Sequence, residues 1–422
     1  MLYRIVRPLA KIALRLTYRK IYFTHPENIP KDKPVILAVN HPTIFLEPCL
    51  LACFLPMPLY FLARGNLFNK LIFRKMLNSL HLIPIFRLKD GGYKKLKNNF
   101  STFDYCYQAL SEQKVILIMA EGNCVQEKRL RSIKKGTARL AFGTFEKHGD
   151  LDIHIVPVGV NYTYPDDWRS EVMFEFGEPI KVSDYQKNYE EDPNDAIRKI
   201  STTLRKRLED IVIIIDKKED EMLTEQLFVI DRNNSLEAIF PVLSSDNRRL
   251  QSEIRIARRI NQMPEKEKMK WKERANEYFQ KIEANKLSDF AVAHPDYYTF
   301  DRSIILIIGF IPFLIGYLFN YLPIVLAEQV GKPIKDIEDR FAIVVSASIV
   351  TFLLYYIALI ILGLTLSNIW YWVFMLMLPI WGYFSLLYRE LYTKWKAAKQ
   401  FSKLEDSLTE QFKAERSVLS KL

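Results

Sequence analysis

The sequence has few of the residues that build metal sites or disulfides. Only four of its 422 residues are cysteines (Cys49, Cys53, Cys106 and Cys124), and they form neither a CxxC pair nor a Cys/His cluster with zinc-like spacing. We therefore expect no metal site and no disulfide framework, and we interpret the cysteines as small buried residues in a reducing compartment.

Charge is absent from two long stretches in the C-terminal third. Residues 303–327 and 341–388 contain no charged side chain, whereas a helix needs only about 20 apolar residues to cross a bilayer. The second stretch is long enough for two spans, at about 342–364 and 368–388, with polar residues 365–368 as the turn. We therefore predict a membrane region within residues 301–390.

The first uncharged stretch leaves two alternatives open. Pro312, Gly316, Asn320 and Pro323 interrupt it and free backbone groups that hydrocarbon cannot satisfy, so the segment either spans or re-enters on one face. The predicted tail, residues 391–422, is basic, and basic flanks favour the cytoplasmic side. Since the N-terminal part is also basic, we predict an even number of crossings and a cytoplasmic catalytic domain.

The formal charge of +11 favours an anionic partner, either a nucleic acid, an acidic membrane or a phosphorylated substrate. Residues 1–22 predict a basic amphipathic helix, because apolar Ile5, Leu9 and Ile12 share one face and cations occupy the other. Such a helix lies on a membrane surface or packs on the domain with its basic face in solvent. No nucleic-acid recognition motif is present, and such binding does not account for the uncharged stretches.

Strand-like and helix-like patterns alternate over residues 23–215. Six apolar runs read as strands, at 35–39, 59–62, 82–86, 115–119, 153–160 and 172–176, and helical stretches separate them. This alternation predicts an α/β domain with a central sheet flanked by helices. Residues 216–300 read as a charged helical connector without strand signals.

A histidine and an acid follow the first predicted strand. His41 lies at the carboxyl end of residues 35–39, where α/β sheets place ligand sites, and the helical pattern that follows could return Glu47 to its ring. A carboxylate that holds one ring nitrogen leaves the other as a general base. The alternative is a capping histidine and a solvated glutamate.

Further polar residues end other predicted strands. Arg87 follows residues 82–86, and Glu121 and Gly122 follow residues 115–119, so one edge of the sheet could gather them with His41. Arginine offers forked donors to phosphate, and Gly122 permits close backbone approach. The next loop adds more cations, each of which could equally be a solvated surface charge: Arg129, Arg131, Lys134 and Lys135.

The order of these motifs resembles the glycerol-phosphate and lysophosphatidate acyltransferase family, over residues 20 to 215. Its four blocks correspond to Asn40-His41 with Glu47, Ile85-Phe86-Arg87, Met119-Ala120-Glu121-Gly122 and Val156-Pro157-Val158-Gly159. The uncharged C-terminal stretches are similar to those of a subgroup with appended membrane segments. The chain departs from the family pattern in carrying Glu47 for aspartate and Ala120 for proline.

The resemblance implies a glycerolphosphate-acyltransferase-like fold and a reaction of phospholipid synthesis. An acyl group would pass directly from acyl-CoA or acyl carrier protein to a hydroxyl of glycerol-3-phosphate or 1-acylglycerol-3-phosphate, with no metal or other cofactor. By matching position, His41 would be the base and Glu47 its orienting partner, while Arg64, Arg87, Glu121 and Gly122 would bind the phosphorylated acceptor. Glu47 and Ala120 leave room for another lipid acceptor, or for a non-catalytic lipid-binding protein on the same fold.

Overall fold

The computed structural model describes residues 2–86, 99–149, 151–366 and 368–421. The chain divides into two compact units. The first consists of Met1–Ile214, Ile239–Leu250 and Asp336–Ala342, and the second of Ile215–Ala238, Gln251–Lys335 and Ile343–Leu422. The predicted α/β region therefore forms the body of the first unit, and two later segments complete it.

A mixed sheet lies at the centre of the first unit. Its strands run in the order β4-β3-β5-β2-β6-β7-β1-β9, with β8 beside β6. Neighbours are parallel, except that β7 and β8 are antiparallel to β6. The described strands are β1 Lys20–Thr24, β2 Val35–Val39, β3 Leu59–Arg64, β4 Leu82–Ile85, β5 Val115–Met119, β6 His154–Tyr162, β7 Glu171–Phe176, β8 Ile180–Lys181 and β9 Leu243–Ser244. This sheet confirms the predicted α/β fold class.

Helices flank the sheet, and its central strands are buried. Every residue of β2 is buried, because β5 and β6 pair with its two edges and helices cover the sheet faces. This accounts for its unbroken apolar sequence, VILAV. The described helices of this unit are α1 Leu2–Thr17, α2 Leu46–Phe54, α3 Leu71–Ser79, α4 Asn99–Ser111, α5 Gly136–His148, α6 Gln186–Glu191 and α7 Pro193–Glu209.

Three strands were absent from the sequence prediction: the two-residue β8, and the strands β1 and β9. The predicted helix over residues 1–22 ends at Thr17, and Lys20–Thr24 forms β1, parallel to β7. The connector, predicted without strands, contributes Leu243–Ser244 as β9 at the other edge of β1. Both segments are strands because of partners distant in the chain, which local periodicity does not report.

Helix α1 packs on the domain through its less apolar side. Tyr3 donates a hydrogen bond to the carbonyl of Ala52, and Arg7 donates one of 2.5 Å to the carbonyl of Leu55. The apolar face points outward, with Ile5 53% and Ile12 58% exposed. The two alternatives for this helix are therefore compatible, because it is packed on the domain and still presents an apolar face.

The second unit is helical over its described residues. Its connector helices are α8 Glu221–Arg232, α9 Arg248–Gln262, whose first residues belong to the first unit, α10 Glu265–Ala284 and α11 Asp289–Ala293. The C-terminal residues form α16 Asp406–Leu419. Buried Asp289 accepts hydrogen bonds from Tyr278, at 2.7 Å, and from Arg416 of α16, at 3.0 Å. This buried charge is thus paired and hydrogen-bonded, and it fixes the C-terminal helix.

Four apolar helices follow the connector. They are α12 Phe300–Ile308, α13 Phe310–Gly331, α14 Ile337–Leu366 and α15 Ile369–Phe401. The last three are long and apolar enough to cross a membrane, which identifies a membrane protein. Helix α14 ends at Leu366 and α15 begins at Ile369, at the position where the polar residues 365–368 predicted a turn. The interrupted stretch, residues 303–327, is divided at Gly309 between α12 and α13, and Pro323 lies inside α13.

Close backbone approach joins α13 to α15. A Cβ atom on Gly316 would lie 2.1 Å from the carbonyl oxygen of Trp381, so only glycine fits there. Buried Asn320 donates to the carbonyl oxygens of Gly316, at 2.8 Å, and Leu378, at 3.3 Å. Gly316 and Asn320, two of the residues that interrupt the apolar sequence pattern, are therefore helix-packing residues.

Candidate active site

The carboxyl ends of β2 and β5 lie side by side, next to the middle of β6. In the parallel register, Val39 of β2 pairs with Met119 of β5 and with Val158 of β6. The buried side chain of Asn40 accepts a hydrogen bond from the Val160 N–H, at 2.6 Å, and donates one to the Val160 carbonyl, at 3.0 Å. Asn40 therefore fixes the chain where it leaves β2, immediately before His41.

The structure brings His41 and Glu47 together. The Nδ1 atom of His41 lies 3.9 Å from Oε2 of Glu47, whose side chain is fully buried, while the His41 side chain is 13% exposed. Glu47 is in the first turn of α2, and its Oε1 accepts a 2.5 Å hydrogen bond from the Thr43 N–H. The carboxylate is thus held by the turn between His41 and α2, as the predicted dyad requires.

A buried polar layer lies behind Glu47. Burial raises the pKa of Glu47 to about 8, because a carboxylate is poorly solvated there. The hydroxyls of Tyr18, Tyr162 and Thr43 lie close to one another behind it, and burial raises the pKa of both tyrosines far above 10. Tyr18 belongs to the link between α1 and β1, and Tyr162 ends β6. Sequence reasoning missed both tyrosines, since only the fold brings them to Glu47.

Glu121 and Gly122 shape the adjoining turn after β5. The carboxylate of Glu121 accepts a 3.3 Å hydrogen bond from the His41 backbone N–H, so the two strand ends are tied together. Burial raises the pKa of Glu121, which is only 5% exposed. Gly122 has φ +71°, a left-handed conformation that favours glycine. Contact between Glu121 and the histidine backbone is a structural role that the sequence did not predict.

A large apolar cavity opens beside His41. Its volume is about 1060 Å³, above the range of about 300–1,000 Å³ for most small-molecule sites. It extends from His41 and Met119 at the sheet edge to helices α1, α2 and α3. Representative lining residues away from the histidine are Tyr3, Ala52, Phe61, Leu77, Leu80 and Phe103. Its volume and apolar walls suit a hydrocarbon chain.

Two of the predicted cations, Arg64 and Lys134, line this cavity. Arg64 ends β3, is exposed and lines the cavity, as does the exposed Lys134. Arg131 pairs with Glu127 at 2.7 Å, which engages part of its charge locally. Arg129 is partly buried and Lys135 is exposed at the start of α5. Arg87 lies outside the described residues, so its predicted role stays a prediction.

An acidic segment, Asp336–Ala342, belongs to this unit and lies beside the basic loop. The carboxylate of Glu338 accepts a 3.5 Å hydrogen bond from the Gln126 N–H, and the ring of Phe341 meets Trp168 edge-on at 5.4 Å. Burial raises the pKa of Cys124, and its thiol also interacts electrostatically with Glu338, Asp339 and Arg64. The acidic segment is therefore close to Arg64, an arrangement that no local sequence signal indicates.

Comparison with known proteins agrees with this geometry. Residues 20–161 match the acyltransferase family model. Glycerol-3-phosphate O-acyltransferase 1 of Saccharomyces cerevisiae is 26% identical over 230 residues, which cover 50% of this chain and 29% of the yeast protein. Glycerol-3-phosphate O-acyltransferase 2 of the same yeast is 28% identical over 109 residues, covering 26% and 15% of the two chains.

A solved structure is also similar to part of the chain. The crystal structure of the 1-acyl-sn-glycerophosphate acyltransferase PlsC from Thermotoga maritima covers 48% of this chain and 79% of its own, with a TM-score of 0.33 and 18% identity. The chain spans less than a third of the length of the two yeast relatives. Most of the length of these two relatives is therefore unmatched by this chain.

Proposed function

Because residues 20–161 match the acyltransferase family model, we propose that this chain transfers a fatty acyl group to a hydroxyl of a glycerolipid precursor. The observation that supports this most strongly is the His41 ring, backed by buried Glu47, at the edge of an apolar cavity of about 1060 Å³. A base and an acyl-chain site are the two parts that such a transfer needs.

In the proposed mechanism, Nε2 of His41 removes the proton of the acceptor hydroxyl. The hydroxyl oxygen then attacks the thioester carbonyl carbon, the carbon–sulfur bond breaks, and the leaving thiolate takes the proton from the imidazolium. Glu47 stabilises that imidazolium through Nδ1, at a distance of 3.9 Å that shortens to a hydrogen bond when the ring is charged. Proton transfer of this kind contributes roughly a hundredfold to ten-thousandfold in rate.

The mechanism uses no acyl-enzyme. Cys49 and Cys53 line the cavity, but burial raises the pKa of their thiols to about 12 and about 11. A thiol with such a pKa is not ionised at neutral pH, and the thiolate is the nucleophilic form. Direct transfer from the donor thioester is therefore favoured, and it requires neither a metal ion nor a redox cofactor.

The acceptor would bind at the polar end of the cavity. Arg64, Lys134 and, by its sequence position, Arg87 offer cations to a phosphate, while Gly122 leaves space for close backbone approach. We propose glycerol-3-phosphate or 1-acylglycerol-3-phosphate as the acceptor and acyl-CoA or acyl carrier protein as the donor. The catalytic domain would face the cytoplasm, where the acyl donor is found.

The test compares His41→Ala with His154→Ala in the full chain reconstituted in lipid vesicles. His154 is a matched control, because it lies at the opposite end of the same sheet and pairs with Asp152 at 3.1 Å. Thiol release from acyl-CoA and mass spectrometry of the product are measured with each acceptor. We expect His41→Ala to lower turnover by roughly a hundredfold or more and His154→Ala to retain it.

Two outcomes would count against the proposal. Unchanged turnover in His41→Ala would show that His41 is not the general base. Lipid binding by the unmutated chain without thiol release, with any donor or acceptor, indicates instead a non-catalytic lipid-binding protein on this fold.

A further inference from the structure

A second apolar surface, separate from the interior of the cavity, lies on helix α3 and the turn before it. Five large apolar side chains there are exposed: Leu67 53%, Leu71 57%, Ile72 80%, Phe73 48% and Met76 39%. They occupy little more than two helical turns of the first unit. An exposed apolar patch of this density marks an interaction surface rather than scattered surface residues.

The charge around this patch has one sign. Lys70, Arg74 and Lys75 are interspersed with the apolar side chains and are themselves exposed. The sequence contains no aspartate or glutamate between Glu47 and Asp90. A helix that carries apolar and cationic side chains without acidic ones fits an anionic lipid surface, where the cations meet headgroups and the apolar groups enter the acyl layer.

The patch lies next to helix α1. The rings of Tyr3, in α1, and His81, just after α3, stack at 4.7 Å, and the two helices are in contact. Helix α1 exposes Ile5, Leu9 and Ile12, and the sequence contains no acid before Glu27. Two neighbouring helices thus expose the same combination of apolar and cationic groups.

The position of the patch relates it to the cavity. Leu77 of α3 and the flanking residues Leu67 and Leu80 line the cavity, while Ile72 and Phe73 of α3 are exposed. The segment therefore separates the cavity from the outside of the domain. The same chain also carries three helices long enough to span a bilayer, which keeps its domain at a lipid surface.

We propose that residues 67–76 form a membrane-inserting element whose occupant is an anionic lipid bilayer. Ile72 and Phe73 enter the acyl layer, Lys70, Arg74 and Lys75 bind anionic headgroups, and the wall of the cavity formed by Leu67, Leu77 and Leu80 lies next to the hydrocarbon. Insertion itself is independent of catalysis. The role of this element in admitting acyl chains to the cavity rests on the proposed function.

The experiment places a photoreactive benzoylphenylalanine at Ile72 in the full chain, reconstituted with phosphatidylcholine alone or with added phosphatidylglycerol. The matched control carries the same group at Arg198 of α7, in the same unit, whose side chain is 74% exposed. Both positions are exposed, so the probe fits at either without repacking a core. We expect position 72 to capture lipid about tenfold more than position 198, and more so with the anionic lipid.

A charge variant separates the two parts of the proposal. Lys70→Gln, Arg74→Gln and Lys75→Gln together should abolish the increase caused by phosphatidylglycerol, because each cation near an anionic surface contributes to binding. Equal lipid capture at positions 72 and 198, or capture of a second copy of this chain at position 72, would overturn the proposal. Capture that does not rise with phosphatidylglycerol would overturn its anionic assignment.

Catalysis is tested apart from insertion. The capture is measured without acyl donor, and again in the His41→Ala variant, which should give the same lipid adduct. Normal lipid capture without acyl transfer contradicts the proposed function alone, and acyl transfer without lipid capture contradicts the inserting element alone.

Discussion

The Nδ1 atom of His41 lies 3.9 Å from Oε2 of Glu47, a carboxylate oxygen that is completely buried. Within the described part of the chain no donor hydrogen-bonds this oxygen, whereas Oε1 is bonded to the Thr43 N–H. A buried carboxylate beside an imidazole can stabilise the charge that the ring gains when it accepts a proton, because the surrounding dielectric is low. The pair is therefore arranged to receive a proton.

Turnover should increase as the pH rises through about 8. Burial raises the pKa of Glu47 from 4.5 to about 8. Glu47 therefore ionises only in alkaline solution, and the carboxylate that His41 needs is present only there. Glu47→Gln keeps the shape and cannot ionise, so we expect a turnover lower by roughly a hundredfold and no titration near pH 8. The measurement is kcat/KM against pH for both proteins; a retained titration in the variant would assign it to another group.

The same pKa shift predicts the pH dependence of stability. Between about pH 4.5 and 8 the native state keeps a proton on Glu47 that the unfolded chain has lost, so the free energy of unfolding falls as the pH rises through that window. Glu47→Gln should remove this dependence. The check is the denaturation midpoint of each protein in detergent at pH 5 and at pH 8.5. An equal loss of stability between these pH values in both proteins would exclude Glu47 as the cause.

Gly122→Ala should destabilise the turn after β5. The backbone there has φ +71°, which costs an L-residue about 1–2 kcal/mol, and the new Cβ would lie 3.1 Å from Cγ of Lys134. Gly136→Ala is the matched control, because nothing lies within 4 Å of its added Cβ. Thermal unfolding of the two variants should differ, and an equally stable Gly122→Ala protein would contradict the strain argument.

Ala52→Phe should shift the donor preference to shorter acyl chains. Ala52 lies on α2 and lines the cavity, so a phenyl group there reduces the length available to the chain. Leu80→Ala, also in the cavity wall, is the opposite change and should favour longer chains. Product chain lengths from a mixture of acyl-CoA donors are measured by mass spectrometry, and identical product profiles would exclude the cavity as the acyl site.

Neutralising the acidic segment should improve binding of a phosphorylated acceptor. Glu338 and Asp339 place negative charge near Arg64, which opposes the approach of an anion. For Glu338→Gln with Asp339→Asn we expect the KM of the acceptor to fall about threefold or more at low salt, with little change in kcat. Glu328→Gln, outside this segment, is the control; an equal effect in the control or at high salt would refute the local charge explanation.

The sequence was informative wherever the signal was local. Apolar runs gave six strands close to their observed bounds, and the segment Gly136–His148 is the helix that its pattern predicts. The uncharged stretches predicted the long apolar helices, because the ability of a helix to cross a bilayer depends on its length and hydropathy. The position of His41 after a buried strand likewise led to the sheet edge where the structure places it.

The tertiary structure decided what depends on distant partners. The strand at Lys20–Thr24 exists because β7 and β9 flank it, and α1 turns its apolar side outward because Tyr3 and Arg7 bind the carbonyls of α2 and the residue after it. The sequence by itself determined which residues are apolar, charged or able to titrate, and in what order they come. Only folding decided that Tyr18 and Tyr162 surround Glu47 and that Glu338 lies beside the basic loop, since such contacts follow from chain segments meeting across long separations.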